Sequence, residues 1–426
     1  MHFETSGGPT PRRTRSDPAT LAHVTTPPPH PALDGVAHDL DRWLAELTEE
    51  LVLFRRDVHA HPETGRAEIR TTAKVAHRLT QAGLTPRVLP GGTGLVCDIG
   101  AEGTMVALRA DLDALPIADE KDDVEYRSTV PGVCHACGHD IHTAIVLGVG
   151  LVLARLAEAG RLPGRVRLIF QPAEEATPGG ALDVIASGGL DDVSAIYCLH
   201  CDPRQDVGHV GLRTGPITGS SDHVRVVLTS VGGHTARPHL TGDLVYALAK
   251  VVTDVPSVLS RRVDPRAGLS VVWGRIAAGG AANVIPQHGE AEGTVRSLDA
   301  AVWEHAPEAV TEAVTGVAAP YGVRVRVDYT RGVPPVINDV RAVETMTAAA
   351  LALLGPGRVA EVEQSLGGED FAWYLEKVPG ALARLGVRTP GDETMRDLHQ
   401  GTFDADERSI PVGIRLLVGT ALLALS

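Results

Sequence analysis

Residues 166–175 read VRLIFQPAEE, and two other stretches repeat the same plan. An apolar run from Val166 to Phe170, a candidate for a buried strand, breaks at Gln171-Pro172 and is followed by two adjacent carboxylates, Glu174 and Glu175. Val106-Ala-Leu108 leads to Asp111 and Asp113 in the same manner, and Ile196-Tyr-Cys-Leu199 leads to His200. Between these runs, residues 140–159 carry Ile141, Ile145, Leu147, Leu151, Leu153 and Leu156 in a helical pattern. Strands alternating with helices predict an α/β sheet covered on both faces. In such sheets ligands gather beyond the carboxyl ends of the strands, so three polar clusters at three strand ends point to one crevice. Taken singly, Asp111 and Asp113 are ordinary strand-end turn residues.

Upstream, Leu40, Trp43, Leu44, Leu47, Leu51, Phe54 and Val58 recur at three- and four-residue steps and predict an amphipathic helix. A second helix is expected from about Glu68 to Gly83, then short strands over 94–99 and 105–109. The pattern changes after Gly215. Strands over 223–231, 269–276, 290–295 and 323–329, with helices over 244–259 and 302–317, give the order βαββαβ of a ferredoxin-like unit. The α/β pattern resumes near Val340. The expected organisation is a tail over 1–36, a catalytic domain in two parts (37–217 and 331–426), and an inserted domain over 218–330.

The chain has 426 residues, enough for two domains each with its own core. The net charge of -14 and the lack of a basic stripe argue against a nucleic-acid partner. Residues 1–35 are rich in Pro, Thr, Arg and His and read as a disordered tail, and no apolar segment follows Arg12, Arg13 and Arg15 as a secretory signal requires. No apolar run is expected to be long enough to span a membrane. Five cysteines, Cys97, Cys134, Cys137, Cys198 and Cys201, make a poor disulfide framework and favour a reducing, cytoplasmic setting.

Cys137 and His139, in the stretch CHACGHD, open the long helix, where free N–H groups and the helix dipole favour a thiolate. The plain structural alternative is a buried cysteine beside a capping histidine. With Glu175, His200 and His399 they form a set of thiolate, imidazole and carboxylate donors that suits zinc and its first-row neighbours. Glu174 and Glu175 are adjacent in a non-helical turn, so one can bind metal while the other faces a water, the division of labour of metal-assisted hydrolysis. The competing view is a solvated acidic turn. Cys134-His-Ala-Cys137 and Cys198-Leu-His-Cys201 also suggest a four-cysteine structural zinc site. Their separation is about three times the ~15–20 residues usual for such sites, and Cys198 alternates to the opposite side from Leu199. A zinc deaminase is disfavoured because no His-x-Glu precedes the cysteine pair.

RRDVHAHPETG, LRADLDALPIAD, HACGHDIHT, FQPAEE, GGHTARPH, NVIP and GGEDF follow one another over roughly residues 50–415. In that order they resemble the dinuclear metal amidohydrolases of the aminoacylase and carboxypeptidase superfamily, with the indoleacetyl-amino-acid and hippurate hydrolases as the nearest branch. The resemblance implies a two-metal catalytic domain with an inserted lid that makes a homodimer. It implies Cys137, His139, Glu175, His200 and His399 as ligands and Glu174 as general base and then acid. It implies His234 as the oxyanion donor from the partner's lid and Asn283 as a substrate contact, with Asp111, Asp113 and Glu369 standing behind the ligands. Cys134, Cys201, Gly368, Thr235 and Arg237 depart from the pattern, and Arg237 is a candidate clamp for a substrate carboxylate. The expected activity is hydrolysis of an N-acyl-amino acid or related small amide by a water activated by two divalent ions. Zinc or manganese is expected first, cobalt or nickel as alternatives. Dipeptidase or carboxypeptidase activity and a non-catalytic structural-zinc protein are the competing readings.

Overall fold

A computed structural model describes residues 30–394 and 396–426. Most of the expected tail, with its three arginines, lies outside the described residues. Within them order begins inside the expected tail of 1–36: Pro31–Leu33 form a 3-10 turn, Leu33 enters the core, and the first helix spans Val36–Ala60. Its apolar stripe buries Leu40, Leu51 and Val58 completely, each worth ~1.5–3 kcal/mol relative to exposure.

The main sheet has eight strands. In spatial order they are Arg87–Val88, Leu95–Ile99, Arg165–Gln171, Met105–Asp111, Val193–Asp206, Gly380–Arg388, Val210–Leu212 and Val359–Glu361. The four central strands run parallel, and the sheet is mixed because the Leu95–Ile99 strand and the Val210–Leu212 strand pair antiparallel to their inner neighbours. Side chains alternate between two cores. Leu108, Leu168 and Leu199 pack against the helices Val36–Ala60, His139–Glu158 and Ser409–Ala424, whereas Ala107, Ile169 and Cys198 face the layer that holds Phe371 and Tyr374.

The helix His139–Glu158 is apolar almost all round because core surrounds it. Against the expectation that no apolar run is long enough, it could cross a membrane by length and composition, with mean hydropathy 1.6 over an 18-residue window, but 89% of that window is buried inside the fold.

The expected βαββαβ order is present. Strands Ser270–Ala278, His288–Arg296, Ser221–Thr229 and Arg324–Val333 form an antiparallel sheet in that spatial order. The helices Leu244–Arg262 and Ala300–Ala318 cover it, with a separate core around Val226, Leu248 and Val310.

One local expectation fails. His200 does not follow the end of its strand: the strand continues to Asp206 because the parallel neighbour Gly380–Arg388 keeps pairing beyond it, His200 lying opposite Arg384 and Asp202 opposite Gly386.

Candidate metal centre and active site

Cys137, His139 and His200 each place one donor atom within 4.8 Å of the others, and so do Cys137, Glu175 and His399. The two triads share Cys137. Each imidazole is turned by its second nitrogen. His139 Nδ1 lies 2.9 Å from the Asp113 carbonyl oxygen and His200 Nδ1 lies 2.8 Å from that of Cys201. A carbonyl can only accept, so both rings carry a proton on Nδ1. Burial keeps the His200 Nε2 bare, whereas at His139 burial is outweighed by the Asp111 and Asp113 carboxylates, which push it up to about 10, so a cation there would have to displace a proton from Nε2. The bare His200 Nε2 is 3.4 Å from Cys137 Sγ, and His139 Nε2 is buried with no hydrogen-bond partner. Glu175 Oε1 is likewise buried and unsatisfied. It lies 3.2 Å from His399 Nε2 without the alignment of a hydrogen bond, so the two atoms face a common point rather than each other. Orphaned donor atoms of this kind fit bound cations, because buried polar atoms are otherwise paired.

Backbone conformation brings the donors together. Gly138 adopts the left-handed region at φ 84°, and a Cβ there would lie 2.7 Å from Cys201 Sγ, so only glycine fits between Cys137 and the helix. Ala173 and His399 are non-glycine residues in the same region, at φ 55° and φ 61°. Such strain costs ~1–3 kcal/mol each and persists where surrounding contacts enforce it. Here the Ala173 N–H donates to Glu68 Oε1 at 2.7 Å, and the His399 N–H donates to the Ala136 carbonyl at 2.8 Å.

Asp113 fixes the pair of glutamates. Its Oδ1 accepts from the Glu174 N–H and its Oδ2 from the Glu175 N–H, both at 3.0 Å. Asp111 bridges His142 Nδ1 at 2.6 Å and Arg109 Nη1 at 2.7 Å. His142 also accepts from the Cys201 N–H at 2.9 Å, so both its ring nitrogens are engaged within the protein. Glu369 lies beside Glu174 and Asp370.

Burial pushes the Glu174 carboxyl well above the usual carboxylate range, and the neighbouring Glu369 and Glu175 push the same way. Burial also holds His200 well below its ordinary value, as a ligand imidazole requires, with the Arg384 charge adding to the effect. For Cys137 the balance runs against the dipole argument. The helix starts one residue beyond Gly138, and burial with Glu175 and Glu174 nearby drives the thiol up. A cation is what would hold it as thiolate.

The four-cysteine alternative has no geometric support. All five cysteines are free and buried, and Cys198 faces the core opposite to that of Cys201. In the inserted domain, His234 and Val284 pair in a two-stranded ribbon, and the Thr235 N–H donates to the Asn283 carbonyl at 3.3 Å. This brings His234 and Asn283 together on an exposed surface that also carries Arg237. Among the described residues no hydrogen bond or ion pair joins these three to the metal-ligating groups.

The sequence reading missed a buried ionic knot behind the site. Arg109 donates to Asp111, to Asp370 at 2.9 Å and to Gln171 at 2.9 Å, and lies 3.2 Å from Glu369. The available signal was a lone arginine inside an apolar strand run, VALRAD, where a charge is tolerated only with partners.

An eight-stranded mixed sheet, a ferredoxin-like insertion and two donor triads sharing a cysteine beside a free carboxylate define a metallohydrolase architecture. The chain belongs to peptidase family M20/M25/M40, whose family model matches residues 107–423. It is 53% identical over 380 residues to a Rhodococcus jostii protein named putative glutamate–cysteine ligase 2-3, covering 89% of this chain but 47% of that one. The chain thus spans about half the length of that relative. It is 37% identical to the N-acetyl-L-cysteine deacetylase of Bacillus subtilis, over 86% of both chains. Among solved structures it is similar to the YXEP protein of Bacillus subtilis, described as a dinuclear metal-binding peptidase of the M20 family. The TM-score is 0.78 and the identity 33%, over 89% of this chain and 99% of that one. The chain is accordingly a hydrolase acting on amide bonds.

Proposed function

We propose that the protein hydrolyses the amide bond of N-acyl-amino acids or related small amide conjugates, using two divalent ions. The observation that carries this reading is the pair of donor triads joined at Cys137, with Glu174 a member of neither but within 4.8 Å of His139 and Glu175, one from each. Cys137, His139, Glu175, His200 and His399 would hold the ions, zinc or manganese first, cobalt or nickel as alternatives. When bound, such ions polarise the amide carbonyl and lower the pKa of a water toward neutrality.

The protein's own groups do the rest. Glu174, held at its backbone by Asp113, receives the proton of the attacking water and returns it to the departing amine. His234 supports the carbonyl oxygen and Asn283 the substrate, both supplied by the lid of a second copy. An exposed edge strand of the inserted domain supports that dimer: Val272 and Ile276 on it are 63% and 53% exposed. Arg237 beside His234 is a candidate contact for a substrate carboxylate. The free buried cysteines support a reducing, cytoplasmic setting.

The test is a panel of N-acyl-amino acids and dipeptides with the metal content measured alongside. About two ions per chain, chelator-sensitive hydrolysis and a ~10²–10⁴-fold loss in Glu174→Gln with metal retained are expected. Full activity of Glu174→Gln with metal bound refutes its role. Cleavage of dipeptides alone favours the peptidase reading, and one tightly held ion without hydrolysis favours a structural-zinc protein.

A further inference from the structure

Arg384 sits in the middle of the strand Gly380–Arg388, in direct register with the candidate ligand His200 on the parallel neighbour. Register partners in a parallel pair share a face, so its side chain leaves the sheet on the side of His200, away from the core of Ala383 and Leu385. It is 7% exposed. Among the described residues, no side chain or backbone group makes a hydrogen bond or ion pair with its guanidinium. The acids whose charges reach it are Asp202 and Glu369. Asp202 is taken by Arg204 at 2.9 and 3.0 Å and by Gln205 at 3.0 Å. Glu369 Oε1 is taken by the Phe371 N–H at 3.0 Å and lies 3.2 Å from Arg109, while its Oε2 is buried without a partner. Yet the Arg384 charge is felt by His200, and the charges of Glu369 and the Cys137 sulfur are felt by Arg384, so it borders the metal-ligating groups.

The contrast with Arg55 and Arg109, two of the three other buried arginines, is informative, and the third, Arg167, pairs with Asp98. Arg55 binds Asp140, Asp404 and Glu407, and Arg109 binds Asp111 and Asp370. Both are internally neutralised, as a buried guanidinium must be unless something else neutralises it. Arg384 alone of these makes no ion pair, the charges of Asp202 and Glu369 reaching it only from beyond ion-pair distance, and it lies at the candidate active site.

We propose that Arg384 is an anion receptor of the active site, pairing with a carboxylate carried by the substrate. This rests on the amide-hydrolase reading and narrows it to amides bearing a free carboxylate, held by a buried residue of the catalytic sheet. Arginine suits the task because its planar fork meets a carboxylate with two parallel hydrogen bonds. The carboxylate can belong to the amino acid released or to a dicarboxylic acyl group. Both present the same chemistry to the guanidinium.

The experiment compares the wild-type chain with Arg384→Met, Arg384→Lys and Arg237→Ala. Metal-stripped protein, which cannot turn substrate over, is titrated by calorimetry with N-acetyl-alanine, its primary amide, and N-succinyl-alanine amide. The wild type should bind one of the two acids at least tenfold more tightly than the uncharged amide, and which acid wins identifies the position of the carboxylate. Arg384→Met should abolish that preference and Arg384→Lys should keep part of it. In metal-loaded protein the kcat/KM ratio of acid to amide should fall by roughly 10–100-fold in Arg384→Met, the scale of a charge-assisted hydrogen bond. An equal preference in wild type and Arg384→Met, with both folded by circular dichroism, overturns the proposal. Loss of preference in Arg237→Ala but not in Arg384→Met moves the receptor to the lid. If the loaded wild type hydrolyses nothing, the amide-hydrolase reading fails by itself, while the metal-free titration still decides whether Arg384 receives an anion.

Discussion

Asp113→Asn tests whether the two glutamates are positioned through their backbone. Both Asp113 oxygens accept main-chain N–H groups, from Glu174 and from Glu175, each at 3.0 Å, and the side chain is 1% exposed. Asparagine has nearly the same shape but replaces one acceptor oxygen with an NH2 donor. One of the two N–H groups must then face a donor in a site that water does not reach. A hydrogen bond to a charged group contributes about 1.5–3 kcal/mol, and a buried group left unsatisfied costs about 1–3 kcal/mol, so the local turn loses at least ~2 kcal/mol. Part of that appears as weaker folding and part as misplacement of Glu175, whose carboxylate would ligate metal. Groups that orient metal ligands typically change affinity by ~10–100-fold. Competition against a chromophoric chelator should show such a weakening in Asp113→Asn, together with reduced hydrolysis at saturating metal because Glu174 shares the turn. Metal affinity and turnover both within twofold of wild type would refute the positioning argument, since the substitution cannot preserve both N–H contacts.

Arg109→Met removes the cation from the knot of Asp111, Glu369 and Asp370 and leaves three buried carboxylates without it. Breaking such a pair from one side costs about 3–5 kcal/mol, readable as a lower urea midpoint, and an unchanged midpoint would show that the knot is not ionic. Glu68 is expected to make stability pH-dependent. Burial raises its carboxyl from 4.5 to about 7, so the folded state prefers it neutral. The sign follows: below the unfolded value it costs nothing, and stability falls as the pH rises from about 4.5 through 7, where the folded chain must accept the charge. Metal-free Glu68→Gln should show a flatter stability curve across that window, and a curve parallel to wild type would count against this assignment. Ile276→Lys places a charge on the exposed edge of the inserted domain, where Ile276 is 53% exposed. Sedimentation should report a monomer for this variant and a dimer for the wild type, and equal sedimentation of the two would dissociate that edge from assembly.

The large features were legible in the sequence because they rest on periodicity. The run Leu40–Val58 repeats at helical spacing, and the strands around Leu108 and Leu168 are continuous apolar blocks. The βαββαβ order was legible for the same reason. What escaped depended on pairing between distant segments. His200 lies within its strand because residues 380–388, far away in sequence, extend the ladder past it. Arg109 and Arg384 gave a local signal, a charge in an apolar run, but whether such a charge is neutralised is settled only by side chains from other parts of the chain. The surroundings of the Cys137 thiol depend on distant pairing in the same way, because its acidic neighbours come from the Glu174–Glu175 turn.

His399 reaches the centre from beyond the inserted domain, pinned by its backbone to Ala136. During synthesis every other donor emerges first, followed by the whole insertion with its independent core. Until His399 leaves the ribosome the nascent chain presents an incomplete set, with the triad of Cys137, Glu175 and His399 open on one side. If these residues hold metal as proposed, the order of translation would make loading of the full centre a late event, and capture of a thiol-loving ion before that moment would rely on Cys137, His139, Glu175 and His200 without His399. The lid is made before the site it would cover is finished.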